Sequence, residues 1–237
     1  MNTPLKILFV GNSYTYCNEL PRLLEALAEA ADDVPSLATD QITPGGCTLQ
    51  RHWTETGARA AIARRRHDLV VLQEHSTRPI TDPWLTEKFA GLLHKEIKAA
   101  GAETVFYLTW AREHLPETQR HLTDTYRRIA RACGARVAPV GEAWKRALRA
   151  RPDLVLHAPD HSHPNRKGSY LAACVFFASL FGRSPAGLPG RLTVVEGGKR
   201  RVLLSLRRAD AAFLQDTAWR TARALRSGSP ARRGPGE

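Results

Sequence analysis

ILFVGNSYT, residues Ile7–Thr15, is apolar for four residues, stops at Gly11 and at once turns small and polar. A short run of branched and aromatic residues ending at glycine reads as a strand buried on both faces, the kind found in parallel sheets. Such a strand delivers its exit to the crevice beyond the carboxyl edge of the sheet, where open α/β sheets hold ligands. Asn12 and Ser13 stand at that exit. Ser13 either caps the helix that follows, a common role for serine there, or displays its hydroxyl to react. The two roles are compatible at one position.

Working outward, KILFVG (6–11) is the first strand, and ELPRLLEALAEAA (19–31) repeats apolar residues at helical spacing. A weaker strand covers Ser36–Ile42, WTETGARAAIARRR (53–66) reads as a helix, and HDLVVLQ (67–73) as a second doubly buried strand. The alternation continues with a helix at 83–101, a strand at 103–110, a helix at 116–134, a strand at 135–141, a short helix at 142–152 and an apolar helix at 169–182. This pattern predicts a three-layer α/β/α sandwich on a five-stranded parallel sheet of flavodoxin-like order. RLTVVEGGKRRVLLSL (191–206) reads as an appended hairpin about Gly197-Gly198, and 209–226 as a last helix. Residues 1–226 are expected to form one domain, and the Gly/Pro/Arg-rich 227–237 a disordered basic tail.

Small, polar and titratable residues gather where strands end. Gly11-Asn12-Ser13 follows the first strand, Pro44-Gly45-Gly46-Cys47-Thr48 the second, and Gln73-Glu74-His75-Ser76 the third. The loop before the apolar helix reads APDHSHPN, 158–165. Asp160 and His163 are three apart, so a turn brings them together. A carboxylate on one ring nitrogen fixes the imidazole tautomer and leaves the other nitrogen free to take a hydroxyl proton. Ser13 needs such a base to become a nucleophile. The strand-end logic therefore predicts a triad of Ser13, His163 and Asp160. The oxyanion of acyl transfer needs waiting donors: the Ser13 N–H, the Gly46 N–H and the Gln73 side-chain amide are the candidates.

These stretches resemble blocks one, two and five of the SGNH/GDSL-type hydrolases: GNS at 11–13, Gly46-Cys47-Thr48, and D-x-x-H-P at Asp160–Pro164. The resemblance implies a serine nucleophile, a histidine base oriented by aspartate, and an oxyanion hole completed by a block-two glycine and a block-three asparagine. Block three departs from the pattern: DLVVLQEHST stands where G-x-N-D is expected, as in a divergent branch with LQE there and a Gly45, Gly46, His52, Trp53 segment earlier. Gln73, which ends a strand and keeps an amide, or Ser76 takes the place of the asparagine. Asn12, Gly46, Gln73, Ser76 and Trp53 are thus the expected oxyanion and substrate-binding residues. The expected activity is hydrolysis of short acyl or O-acetyl esters through an acyl-enzyme, without a cofactor. The alternative is a catalytically weak or inactive small-molecule or carbohydrate binder on the same scaffold.

Two rival chemistries compete for the same residues. His157, Asp160, His161 and His163 are all possible metal ligands, but a metal leaves Ser13 unexplained. The net charge of +12 is concentrated at the end of the chain, where residues 191–237 hold 11 Lys+Arg against 4 Asp+Glu. Arg200, Arg201, Arg207 and Arg208 suggest a polyanion binder, yet no aromatic residues are interleaved for base stacking, and neither nucleic acid nor membrane is expected as a partner. The four cysteines, Cys17, Cys47, Cys133 and Cys174, are scattered and form no CxxC pair. They suit a reducing, cytoplasmic setting. Nothing in the composition decides between a monomer and a homo-oligomer.

Overall fold

A computed structural model describes residues 3–227. The expected tail lies outside the described residues, apart from Ser227, which closes the last helix. In chain order the elements are β1 (Leu5–Val10), α1 (Ser13–Tyr16), α2 (Leu20–Glu29), β2 (Leu37–Ile42), α3 (Leu49–Thr54), α4 (Ala58–Ala63), β3 (Leu69–Leu72), α5 (Arg78–Thr81), α6 (Pro83–Ala99), β4 (Glu103–Tyr107), α7 (Gln119–Cys133), β5 (Arg136–Ala138), α8 (Val140–Ala150), α9 (Arg166–Phe181), β6 (Arg191–Glu196), β7 (Lys199–Ser205) and α10 (Arg208–Ser227). The first five strands form one parallel sheet in the order β2-β1-β3-β4-β5.

The period of two in a strand explains the continuous apolar runs. Ile7 and Phe9 of β1, Leu69 and Val71 of β3, and Val105 and Tyr107 of β4 face the layer built by α2, α8, α9 and α10. Leu8, Val10, Val70, Leu72 and Phe106 face the opposite layer of α3, α4, α6 and α7. Helix α9 is buried along Gly168–Ala178 because α2, α8 and α10 surround it. The β6–β7 hairpin turns through Gly197 and Gly198, both at positive φ. It lays Leu192, Leu203 and Leu204 on the first core layer, and its Arg201 grips Glu19 through two 2.8 Å bonds.

Several expected elements differ in their bounds from those observed, the strand at 103–110 for one ending at Tyr107, and three show the reason in the structure. The helix placed at 53–66 is two helices, because Thr56 Oγ1 accepts the Ala58 N–H at 3.2 Å and restarts the chain at Gly57. The strand placed at 135–141 ends at Ala138: Pro139 has no N–H for the ladder, and α8 begins at Val140. A Cβ on Gly141 would lie 2.0 Å from Thr109 O, so only glycine lets α8 start against the end of β4. The helix placed at 19–31 runs only over Leu20–Glu29; Asn18 and Glu19 before it are at positive φ, which separates α2 from the short α1 and aims the Asn18 side chain at the site described next.

Candidate active site

Ser13 opens α1 two residues after β1, and its position is fixed by neighbours rather than by its own side chain. Asn12 caps the helix: its Oδ1 accepts the Tyr14 N–H at 3.1 Å, and its Nδ2 donates to Cys47 O at 2.9 Å, tying the 44–48 loop to the turn. The Asn12 N–H donates to Gln73 Oε1 at 2.9 Å, and Thr15 Oγ1 donates to the same oxygen at 3.0 Å. His52, fully buried, donates from Nε2 to Gly11 O at 2.7 Å. Burial pushes the His52 imidazole below its ordinary value, which suits a neutral ring with its proton on Nε2.

The second half comes from the loop between α8 and α9. One oxygen of Asp160 accepts the N–H groups of Ser162 and His163 at 3.1 and 2.9 Å, and the other accepts from His163 Nδ1. These bonds, the ring bond first, hold the Asp160 carboxyl down at about 2. It therefore stays anionic well into acid, and an activity loss in mild acid does not come from its protonation. His163 Nε2 lies 2.8 Å from Ser13 Oγ. A hydroxyl, an imidazole and a carboxylate 150 residues apart in sequence thus form one hydrogen-bonded chain. The chain is open to solvent, the His163 and Asp160 side chains being 36% and 49% exposed.

The loop is held from several sides. Asn18 Nδ2 donates to Pro164 O and to Ser169 Oγ, both at 2.9 Å. Glu113 donates its N–H to His161 O and accepts from the His161 ring at 2.6 Å. Trp110 Nε1 donates to Ser162 O at 3.0 Å. Its ring stacks between Tyr14 and Trp144 at centroid distances of 4.6 and 4.0 Å, and Tyr14 meets His163 edge-on.

The structure places the remaining expected residues as follows. Gly46 lies in an exposed turn at positive φ, on the loop that Asn12 tethers. Neither its N–H nor that of Ser13 is hydrogen-bonded to a described residue. Gln73 is a correction. It is fully buried, its Oε1 turned to Asn12 and Thr15 and its Nε2 donating to Glu74 O, so both ends of its amide are engaged in bracing the turn that carries Ser13. Asn12 is likewise buried, and acts as cap and tether, not as a substrate contact. Ser76 is buried, accepts from Arg112 at 3.3 Å and faces the Tyr14 hydroxyl. Trp53 packs against the core on the α3 side of the sheet, with Arg59 4.1 Å above its ring. The three histidines weighed as metal ligands look to separate partners, His157 to Ala111 O, His161 to Glu113, and His163 to Asp160 and Ser13. Among the described residues no three metal-ligating side chains converge.

Asn18, His52 and Glu74 were not singled out as positioning residues from sequence. Glu74 is buried, and its Oε1 accepts the N–H groups of Leu49 and His75 at 3.1 and 2.7 Å. Burial raises its carboxyl above the ordinary 4.5. A raised carboxyl binds more protons folded than unfolded, so stability falls as pH rises from 4.5 through the folded value. Glu74→Gln keeps the acceptor and removes the charge. Thermal melts are expected to show the variant gaining on the parent between pH 4.5 and pH 8; parallel melting curves for the two proteins would contradict this placement.

No protein-family model matches the chain, and no curated protein matches it in sequence. Solved structures do. A protein from Slackia heliotrinireducens assigned to the SGNH hydrolases superposes with a TM-score of 0.65 at 29% identity, covering 75% of this chain and all (100%) of that one. This chain has the SGNH/GDSL-type hydrolase fold. A DUF4886 family protein from Bacteroides uniformis superposes with a TM-score of 0.70 at 19% identity, over 92% of this chain and 95% of that one. An acetyl-xylooligosaccharide esterase from Geobacillus stearothermophilus gives 0.58 at 18% identity, over 74% of this chain and 94% of its own. The SGNH-type match agrees with the resemblance carried by Gly11–Ser13, Gly46–Thr48 and Asp160–Pro164. Among the described residues no helix is long and apolar enough to cross a membrane.

Proposed function

We propose that the protein is a serine esterase acting on short acyl esters, acetyl esters foremost. The observation that carries this reading is the unbroken chain Ser13 Oγ to His163 Nε2 to Asp160 on an SGNH-type fold. Ser13 Oγ attacks the ester carbonyl carbon while its proton passes to His163 Nε2. The N–H groups of Ser13 and Gly46 receive the oxyanion. Protonated His163 then gives its proton to the departing alcohol, leaving Ser13 acylated. Water, deprotonated by His163, attacks the acyl carbon, and the acid leaves as Ser13 recovers its proton. Asp160 stays ionised throughout and holds the ring.

Acetyl ester hydrolases stand among the structural neighbours, which supports acetyl esters as the preferred substrates. The test is hydrolysis of 4-nitrophenyl acetate, butyrate and octanoate by the purified protein. The expected order of kcat/KM is acetate, then butyrate, then octanoate, with no added cofactor. A preference for octanoate would overturn the short-acyl reading. No turnover of any of the three favours the binding-protein alternative, for which the withdrawal of Gln73 from the oxyanion position is the supporting observation.

A further inference from the structure

Among the described residues, the two arginines at the turn after β3 form no ion pair with a carboxylate, although Glu74 of the same turn lies within electrostatic reach of Arg78. Arg78 opens α5, its backbone N–H donating to His75 O at 3.2 Å and its guanidinium to Gln50 Oε1 at 2.6 Å. Arg112, from the loop after β4, reaches the same turn and donates to Ser76 Oγ at 3.3 Å. Both acceptors are neutral. Both arginines are partly buried, and in each the Nε is buried without a hydrogen-bond partner. The hydrogen bonds of the neighbouring carboxylates go elsewhere, Glu113 to His161, Asp160 to His163, and Glu74 to the Leu49 and His75 N–H groups. More exposed arginines fare better: Arg59, Arg127 and Arg136 each hold a carboxylate within 3.0 Å.

A cation that gives up water without gaining an anion is unfavourable, and a guanidinium fork fits a carboxylate or phosphate in two-point contact. The turn lies beside the one that carries Ser13, since β1 and β3 are paired with Val10 opposite Leu72 and the Asn12 N–H donates to Gln73 Oε1 at 2.9 Å. After burial, Arg112 and Arg78 both push the His75 imidazole below its ordinary value, as expected of a group beside two cations.

We propose that Arg112 and Arg78 form an anion subsite of this active site, so that the preferred ester carries a carboxylate or similar oxyanion near the bond that is cleaved. The subsite rests on the esterase reading of Ser13. Its substrate class is the ester of an acid-bearing molecule, with the anion on either the alcohol or the acyl side.

The experiment compares matched pairs. On the alcohol side, an O-acetylated hexuronic acid is set against the same O-acetylated neutral hexose, reading acetate release. On the acyl side, monomethyl glutarate is set against methyl butyrate, reading methanol release. The anionic member of at least one pair is expected to win by about 10- to 100-fold in kcat/KM, the range of one charge-assisted bond. That preference should shrink with added salt. Arg112→Gln should lower it by about tenfold or more, and Arg112→Lys, which keeps the charge without the fork, should lower it less. Calorimetry on the Ser13→Ala protein reads binding of the same anionic esters without turnover, and Arg112→Gln in that background should abolish it.

Equal kcat/KM within both pairs, or a preference that survives Arg112→Gln and Arg78→Gln, overturns the subsite and leaves the esterase standing. Arg112-dependent binding with no turnover by the parent protein supports the subsite and removes the esterase reading. Neither binding nor turnover removes both.

Discussion

Ser13→Ala is expected to lower kcat/KM for acetyl esters by about 10⁴-fold or more while the fold survives. The side chain makes one hydrogen bond in the structure, 2.8 Å to His163 Nε2, so its loss falls on chemistry. Asn12, not Ser13, caps α1, and alanine is at least as good a helix former as serine. The melting temperature should therefore stay within about 3 °C of the parent, since no buried group loses its partner. His163→Ala should cost about as much as Ser13→Ala, and the double variant little more, because the groups act as a unit. Asp160→Asn is the finer probe. An amide presents N–H where the carboxylate received His163 Nδ1–H, which favours the wrong tautomer and removes the base from Ser13; a loss of about 10³- to 10⁴-fold is expected. Steady-state kinetics with circular dichroism on each variant checks all of this. Retention of more than a tenth of the activity in Ser13→Ala would rule out Ser13 as nucleophile.

Gly11→Ala is expected to damage stability and activity together. A Cβ there would sit 2.6 Å from Gln73 Oε1, 2.8 Å from Thr15 Oγ1 and 3.1 Å from Gln73 Cβ. Neither oxygen is the loose end of a surface chain: both belong to the buried network that holds the Asn12 N–H. Making room means displacing Gln73 and leaving that N–H without an acceptor, or moving β1 away from β3. Overpacking and an unsatisfied buried donor together cost about 2–4 kcal/mol. A shift of about 1 Å in Ser13 would cost on the order of 10²-fold in rate. Denaturant melts should report the first effect, and kcat in the surviving folded fraction the second. A variant as stable and active as the parent would mean the Gly11–Gln73 packing does not position the nucleophile.

The architecture was legible because its physics is local. Strands buried on both faces must be apolar throughout, and β1 and β3 announce themselves that way. Asp160 and His163 could be paired from spacing, because the bond they make is within one turn. Gln73 was misplaced because sequence shows that an amide ends a strand but not where it turns. It follows Leu72, which packs on the α6 side, so the alternation sends Gln73 to the other face, under α1. The break at Asn18 and Glu19, both at positive φ, was hidden for a different reason: Asn18 bonds to Pro164 and Ser169, 146 and 151 residues away, and Glu19 to Arg201, 182 residues away. That Arg78 and Arg112 bond only to neutral acceptors is equally invisible in sequence, since it depends on which carboxylates other residues have already taken.

Incubation with a fluorophosphonate, followed by mass spectrometry of the digested protein, asks directly whether the Ser13 hydroxyl is activated. Ser13 Oγ should displace fluoride from phosphorus, so that the adduct maps to the peptide carrying Ser13 and forms far more slowly in His163→Ala. An adduct confined to another residue, or labelling of Ser13 at an unchanged rate without His163, would contradict the catalytic arrangement described here.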